Sequence, residues 1–325
     1  MITSERKNKL LLMVFLAFLL YISFIIYSDL EKVMWAFHGF NWSFLPLILS
    51  LVITGYLLRG TRWYYYLRRI NINISIRDSY LIFFGGQSMT ITPGKIGEMI
   101  KPYLVKNKTG TEVGITVPVV FVERLTDLIG MVILASFGSL SFHYGIKPLL
   151  ITLILIALGI LIIQCRSVNF RILKIVERIP RLGLYAENFK TVYNATYILL
   201  RPKSLGIATL ISCCAWGLEC ISTYLVFSGI DVNIGILEST FIFAFSSVVG
   251  TLTMLPGGLG ATEGSMVGIS MILGVEISKA TTATLLVRFL TLWFGVIIGL
   301  VILQYIFHED QDRVISNNKN NEQVR

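Results

Sequence analysis

The sequence predicts an all-α polytopic membrane protein: six full transmembrane helices plus two re-entrant hairpins in an inverted repeat. Three observations predict it. Of the 325 residues, 54% are hydrophobic and 14% charged, and the mean hydropathy is +0.73, too little polar side chain to cover a soluble domain of this size. Apolar runs near the roughly 20 residues that cross a hydrocarbon core recur along the chain. Finally, Pro93-Gly94-Lys95-Ile96-Gly97-Glu98 is echoed by Pro256-Gly257-Gly258-Leu259-Gly260, with Glu263 just behind. Each copy is followed by an arginine inside an apolar helix, Arg124 after Pro93 and Arg288 after Pro256. Helix-breaking segments and intramembrane charges that repeat within one chain are the mark of a transporter core.

The elements follow in order. Residues 10–27 form the first apolar run, behind Arg6, Lys7 and Lys9. They resemble a signal peptide, but no small-residue cleavage site follows, so a retained span is expected. The second span covers about 43–66. Residues 78–102 are too short and too glycine-rich to cross twice, and both ends are basic, so a hairpin bending between Gln87 and Pro93 is expected. Non-helical backbone at membrane depth is tolerated only where protein or a wet cavity covers it. The third and fourth spans are expected at 115–142 and 148–163. The basic loop 165–203 then reads either as an interfacial amphipathic helix or as a solvated linker. The fifth span is expected at 205–227, a second hairpin at 239–275 bending near Pro256, and the sixth span at 280–307. The polar segment 307–325 reads as a disordered tail. If each hairpin crosses fully instead, an eight-helix protein with the same outer loops results.

Lysine and arginine fall in alternate loops: 1–9, 59–77, 95–108, 166–203 and 307–325 hold nearly all of them, against Lys32, Lys147 and Lys279 in the other loops and Arg124 and Arg288 within spans. That bias predicts a cell-membrane protein with both termini cytoplasmic. It also explains the net charge of +9 without nucleic acid. The single membrane domain then divides into repeats at 10–142 and 148–306. They run in opposite senses, and Leu58–Ile72 aligns without gaps on Leu218–Val232.

Each ionisable group inside a span costs on the order of 3 kcal/mol on insertion scales and therefore needs a reason. Glu123 and Asp127 share a helix face, and Arg124 lies three residues from Asp127, within pairing reach. At the equivalent place beyond Arg288 the acid is replaced by Thr291, so Arg288 must find Glu263, Glu219 or a ligand's negative charge. Arginine suits phosphate because its planar fork binds bidentately and stays charged when buried. Glu98 and Lys101 lie three apart and can pair, and Glu98 also suits a proton site. Arg59 and Glu219 hold equivalent places in the two repeats. The breaks themselves are Pro93, Gly94 and Gly97, and Pro256, Gly257, Gly258 and Gly260. Proline removes a donor, glycine permits the bend, and exposed half-helix N-termini favour anions. Gly260, Gly264 and Gly268 read as a small-residue packing ladder. Arg59, Arg62, Arg68 and Arg69, with Trp63 and Tyr64 to Tyr66, read as an interfacial belt.

The four cysteines make no Cys-x-x-Cys pair and the three histidines are scattered, so neither a metal nor a cofactor is expected. No Gly-x-x-x-x-Gly-Lys-Ser/Thr occurs, which argues against direct ATP use.

Together, Arg62-Trp63, Thr92-Pro93-Gly94-Lys95-Ile96-Gly97-Glu98 with Lys101, Glu123-Arg124-Leu125-Thr126-Asp127, Pro256-Gly257-Gly258-Leu259-Gly260 with Glu263, and Arg288 resemble one family. It comprises the membrane region of lysylphosphatidylglycerol synthases, the flippase domain of the multiple-peptide-resistance factor, and stand-alone relatives. The resemblance spans about 10–306. It implies movement of an anionic phospholipid or polyprenyl-linked lipid between leaflets, with membrane lipids and a lipid-modifying transferase as partners. The synthases carry a soluble transferase domain after this region, whereas the sequence stops at Arg325 soon after the last span, so synthase activity is not expected. The alternatives are an intramembrane enzyme using Glu98, Glu123, Asp127 and Glu263 as acid and base, and an accessory subunit of a lipid-linked glycosyl- or aminoacyl-transfer pathway.

Overall fold

A computed structural model describes residues 30–141, 146–165 and 186–323, with side chains as far as 309. The expected first span and most of the basic loop after residue 165 lie outside the described residues. All regular structure among them is helical, with no strand.

The order begins with α1 (Leu30–His38), α2 (Leu45–Arg69), α3 (Ile76–Gln87), α4 (Ile100–Thr109), α5 (Val113–Gly138) and α6 (Ile146–Gln164). It continues with α7 (Ala186–Leu199), α8 (Pro202–Gly229), α9 (Ile236–Leu252), α10 (Ala261–Ile272), α11 (Ile277–Arg288) and α12 (Phe294–Gln323). A π-helical turn, Phe289–Trp293, joins the last two. Three helices among the described residues are long and apolar enough to cross a membrane: Trp42–Arg69, Pro202–Gly229 and Ile277–Glu309. At 26 residues α5 is nearly as long, but Glu123, Arg124 and Asp127 interrupt it.

Local sequence explains most boundaries. Pro46 opens α2 and Pro202 opens α8, at positions whose N–H is unused. The Ser75 hydroxyl accepts the Asp78 N–H and caps α3. Two residues past the end of both α2 and α8 comes a left-handed residue, Asn71 and Asp231. Asparagine and aspartate tolerate that conformation best among residues with side chains, and the two stand in register in the gap-free alignment. The segment expected as a loose tail is helical to Gln323. After Gly299 the sequence has no glycine or proline to stop the helix.

Packing exchanges partners between the halves of the chain. Helix α2 lies along α8, α3 packs on α12, and α9 packs on α5. Glycines permit two of these contacts. A Cβ on Gly138 of α5 would stand 2.6 Å from the Phe241 backbone nitrogen in α9. A Cβ on Gly299 of α12 would collide with the backbone of α3 at Ser88 and Phe84. The core forms two apolar clusters. One is centred on Val52, Val132, Phe227, Ile242 and Ala283, the other on Trp63, Tyr66, Val119, Leu199 and Ile306. The expected glycine ladder is not a packing device throughout, because a Cβ on Gly268 would meet nothing within 4 Å.

Candidate functional site: a cationic cavity between two helix breaks

Helix α3 stops at Gln87 and α9 at Leu252, and each chain then makes an irregular turn before its next helix. Pro93–Met99 is a 3₁₀ segment with Gly94 and Lys95 both left-handed, at φ 56° and 57°. Pro256–Gly258 is its shorter counterpart, with Gly257 and Gly258 at φ 59° and 68°. The two breaks touch: the Gly94 N–H donates to the Met254 carbonyl at 2.9 Å. One further donor at each break is used internally. The Gly97 N–H donates to Thr92 Oγ1 and the Gly260 N–H to the Glu263 carboxylate.

Around this contact lies a cavity of about 550 Å³. Arg59, Lys95, Arg124 and Arg288 line it, as do Gly94, Gly257 and Gly258, and Glu219 is the one carboxylate in the lining. Pro93, Pro256, Gly97 and Gly260 shape the breaks without lining the cavity.

The remaining predicted acids stand behind this wall as counter-charges. Arg124 Nη1 lies 3.4 Å from Glu98 and Nη2 lies 3.2 Å from Asp127. Lys101 lies 2.6 Å from Glu123 and 3.0 Å from Glu98, and its ammonium sits over the Trp63 ring at 4.7 Å. Arg288 Nε donates to Glu263 at 2.6 Å, and Nη2 donates to the Gly257 carbonyl at 2.6 Å. Arg59 and Glu219 form the pair that their equivalent positions suggested. The Arg59 guanidinium lies over the Tyr56 ring at 4.9 Å and over the Trp216 ring at 4.6 Å.

Arg288 finds Glu263, one of the partners expected for it, across the break on α10, and its side chain is 10% exposed against 24% for Arg124. One expectation needs correction. Arg59 and Arg62 do not belong to an interfacial belt, because α2 carries both into the interior. Arg62 is wholly buried, donates to Asp127 at 2.7 Å and lies 3.9 Å from Glu123. Trp63 and Tyr66 are buried beside it. A signal was present, since Arg59, Arg62, Trp63 and Tyr66 recur at i, i+3, i+4 and i+7, one face of a helix.

Arg62 and Lys95 are the residues that the sequence reading missed. Asp127 Oδ1 accepts from Arg62, Ser212 and Trp216 together, so one carboxylate ties α2, α5 and α8. The π-helical turn was missed too. It follows directly on Arg288, and the Tyr56 hydroxyl donates to the Thr291 carbonyl within it. Such turns recur at functional sites.

With this geometry in place, the decisive comparison is with a family model: the lysylphosphatidylglycerol synthase TM region matches residues 13–299. The chain belongs to that family. A UPF0104 membrane protein of Methanothermobacter thermautotrophicus is 25% identical over 305 residues, covering 88% of this chain and 90% of the relative. A UPF0104 membrane protein of Methanocaldococcus jannaschii is 26% identical, covering 67% and 92%. A phosphatidylglycerol lysyltransferase of Staphylococcus aureus is 27% identical over 145 residues, which is 43% of this chain but 17% of that longer protein. Family and apolar helices together make this a membrane protein. Among the described residues no group of three His, Cys, Asp or Glu is arranged to hold a metal ion.

Proposed function

We propose that this family member is a lipid translocase that carries an anionic phospholipid or polyprenyl-linked lipid between leaflets, without covalent chemistry on its cargo. The observation that carries this reading is the cavity: cations from both halves of the chain face one space at the contact of the two breaks. Its rim is apolar and open. Phe121, Ile96 and Met254 line it and are 61%, 69% and 71% exposed. A headgroup phosphate inside and acyl chains outside match that division better than a soluble anion does.

The same reading makes the two halves an inverted repeat and the two breaks re-entrant hairpins entered from opposite sides. Its support is the exchanged packing of α3 on α12 and α9 on α5, the equivalent pair Arg59 and Glu219, and the contact at Gly94 and Met254. Helix α3 has 12 residues and α9 has 17, about 18 and 26 Å at the helical rise, each short of a full core. The loop charge bias orients both termini to the cytoplasm of the cell membrane. It survives removal of Arg59, Arg62, Lys95 and Lys101 from the loop count. A lipid-modifying transferase is the expected partner, supplying or consuming the carried lipid.

The test is reconstitution into liposomes holding a fluorescent phosphatidylglycerol, with bleaching of the outer leaflet by a membrane-impermeant reductant. Leaflet exchange well above protein-free vesicles is expected, and Arg288→Ala is expected to remove it while the variant stays folded in detergent. A chemically altered lipid would support the intramembrane-enzyme reading instead. Neither exchange nor alteration would support an accessory subunit.

A further inference from the structure

We propose that Lys95 is the residue that binds the lipid phosphate in this cavity, and that it tunes the site to a single negative charge. The inference rests on the translocase reading, because it names the chemistry recognised at that reading's site. Three observations carry it.

The first is charge balance. Within the group each carboxylate has a cation of its own: Glu219 with Arg59, Asp127 with Arg62, Glu123 with Lys101, Glu98 with Arg124, and Glu263 with Arg288. Lys95 is left over. It lines the cavity and, among the described residues, makes no side-chain hydrogen bond or ion pair. One surplus positive charge in a poorly hydrated space is neutralised by one negative charge, and a dianion would leave the excess reversed.

The second is backbone conformation. Lys95 is left-handed at φ 57°, and its counterpart in the other break, at φ 68°, is Gly258. Glycine satisfies that conformation without strain, and a residue with a Cβ does not. Strain held at a lysine whose side chain has no structural partner points to a ligand. The turn is held rigidly, since the Lys95 N–H donates to the Thr92 carbonyl and the Gly94 N–H to that of Met254.

The third is position. Ile96 follows at once and is 69% exposed, and both residues line the cavity, so Lys95 belongs to the part of the lining that adjoins the apolar rim. A phosphodiester sits at the same boundary in a two-tailed lipid.

The experiment measures lipid binding to the purified full chain in neutral detergent by native mass spectrometry. Its probes are phosphatidylglycerol, phosphatidic acid, diacylglycerol and the soluble headgroup glycerophosphoglycerol. Wild type is expected to prefer phosphatidylglycerol at least ten-fold over the other three. Lys95→Gln is expected to lose most of that preference, Lys95→Arg to keep it, and Lys95→Gly to lose it without a fall in melting temperature. Undiminished phosphatidylglycerol binding by Lys95→Gln would overturn the proposal, as would equal binding of the soluble headgroup or of phosphatidic acid by wild type. Binding is read apart from transport. Lys95-dependent binding without leaflet exchange removes the translocase reading and leaves this inference standing. Normal exchange with normal affinity in Lys95→Gln does the reverse.

Discussion

The two breaks share a backbone and differ in charge. Pro93-Gly94-Lys95 and Pro256-Gly257-Gly258 each turn through two successive left-handed residues, and each has a helix arginine close by. At the first break a dense network surrounds that arginine: Glu98, Lys101, Glu123 and Asp127 interlock with Arg62 and Arg124. At the second, Arg288 holds Glu263 and the Gly257 carbonyl. The shape of the break therefore does not require the network. Glycine at position 258 shows that the turn forms without a lysine. The extra charge at the first break serves two further ends. Asp127 ties three helices together, and Lys95 faces the cavity.

The comparison predicts unequal costs. Arg62→Leu strands the buried Asp127 and Glu123 against fewer cations and is expected to cost about 3–5 kcal/mol, read as a large fall in thermal stability in detergent. If that variant melts like wild type, the network is not what holds α2, α5 and α8. Glu263→Gln removes one carboxylate beside an arginine that borders the open cavity. A smaller loss of about 1–3 kcal/mol is expected, and a loss equal to that of Arg62→Leu would erase the distinction between the halves. Gly258→Ala places a Cβ 2.6 Å from Thr262 Oγ1 on left-handed backbone. A cost of about 1–2 kcal/mol is expected, and a neutral result would show that the second turn tolerates side chains as the first does. The smallest effect has the opposite sign. Lys95→Gly copies the second break into the first and relieves left-handed strain, so stability is expected to rise by up to about 1 kcal/mol. A fall in melting temperature would mean that Lys95 has a structural partner after all.

Helix positions were legible in the sequence because they rest on local signals. The spans expected at 43–66, 205–227 and 280–307 correspond to helices at 45–69, 202–229 and 277–309. The turns fell where proline and glycine cluster, and the pairs Glu98 with Lys101 and Arg124 with Asp127 lie within one helical turn. What could not be read locally was partnership across the chain. Arg62 meets Asp127 65 residues away, and Arg59 meets Glu219 160 residues away. An arginine followed by Trp63 and tyrosines has the same local text in an interfacial belt as in a buried network. The internal alignment did mark Arg59 and Glu219, because the halves pack α2 against α8 near equivalent positions. Helix α12 runs on to Gln323 through the polar segment, where no glycine or proline stops it. Lys95 carries no local signal beyond its place in the Pro-Gly motif; its left-handed backbone and the facing break are what set it apart.

The most direct measurement is an experimental map of the protein in nanodiscs containing phosphatidylglycerol. Lipid density is expected with its phosphate within hydrogen-bond distance of the Lys95 ammonium, between Gly94 and Gly257, and with acyl chains leaving past Ile96 and Met254. Lipid confined to the outer helix faces, with an empty cavity and Lys95 turned away from it, would rule out lipid binding in the cavity.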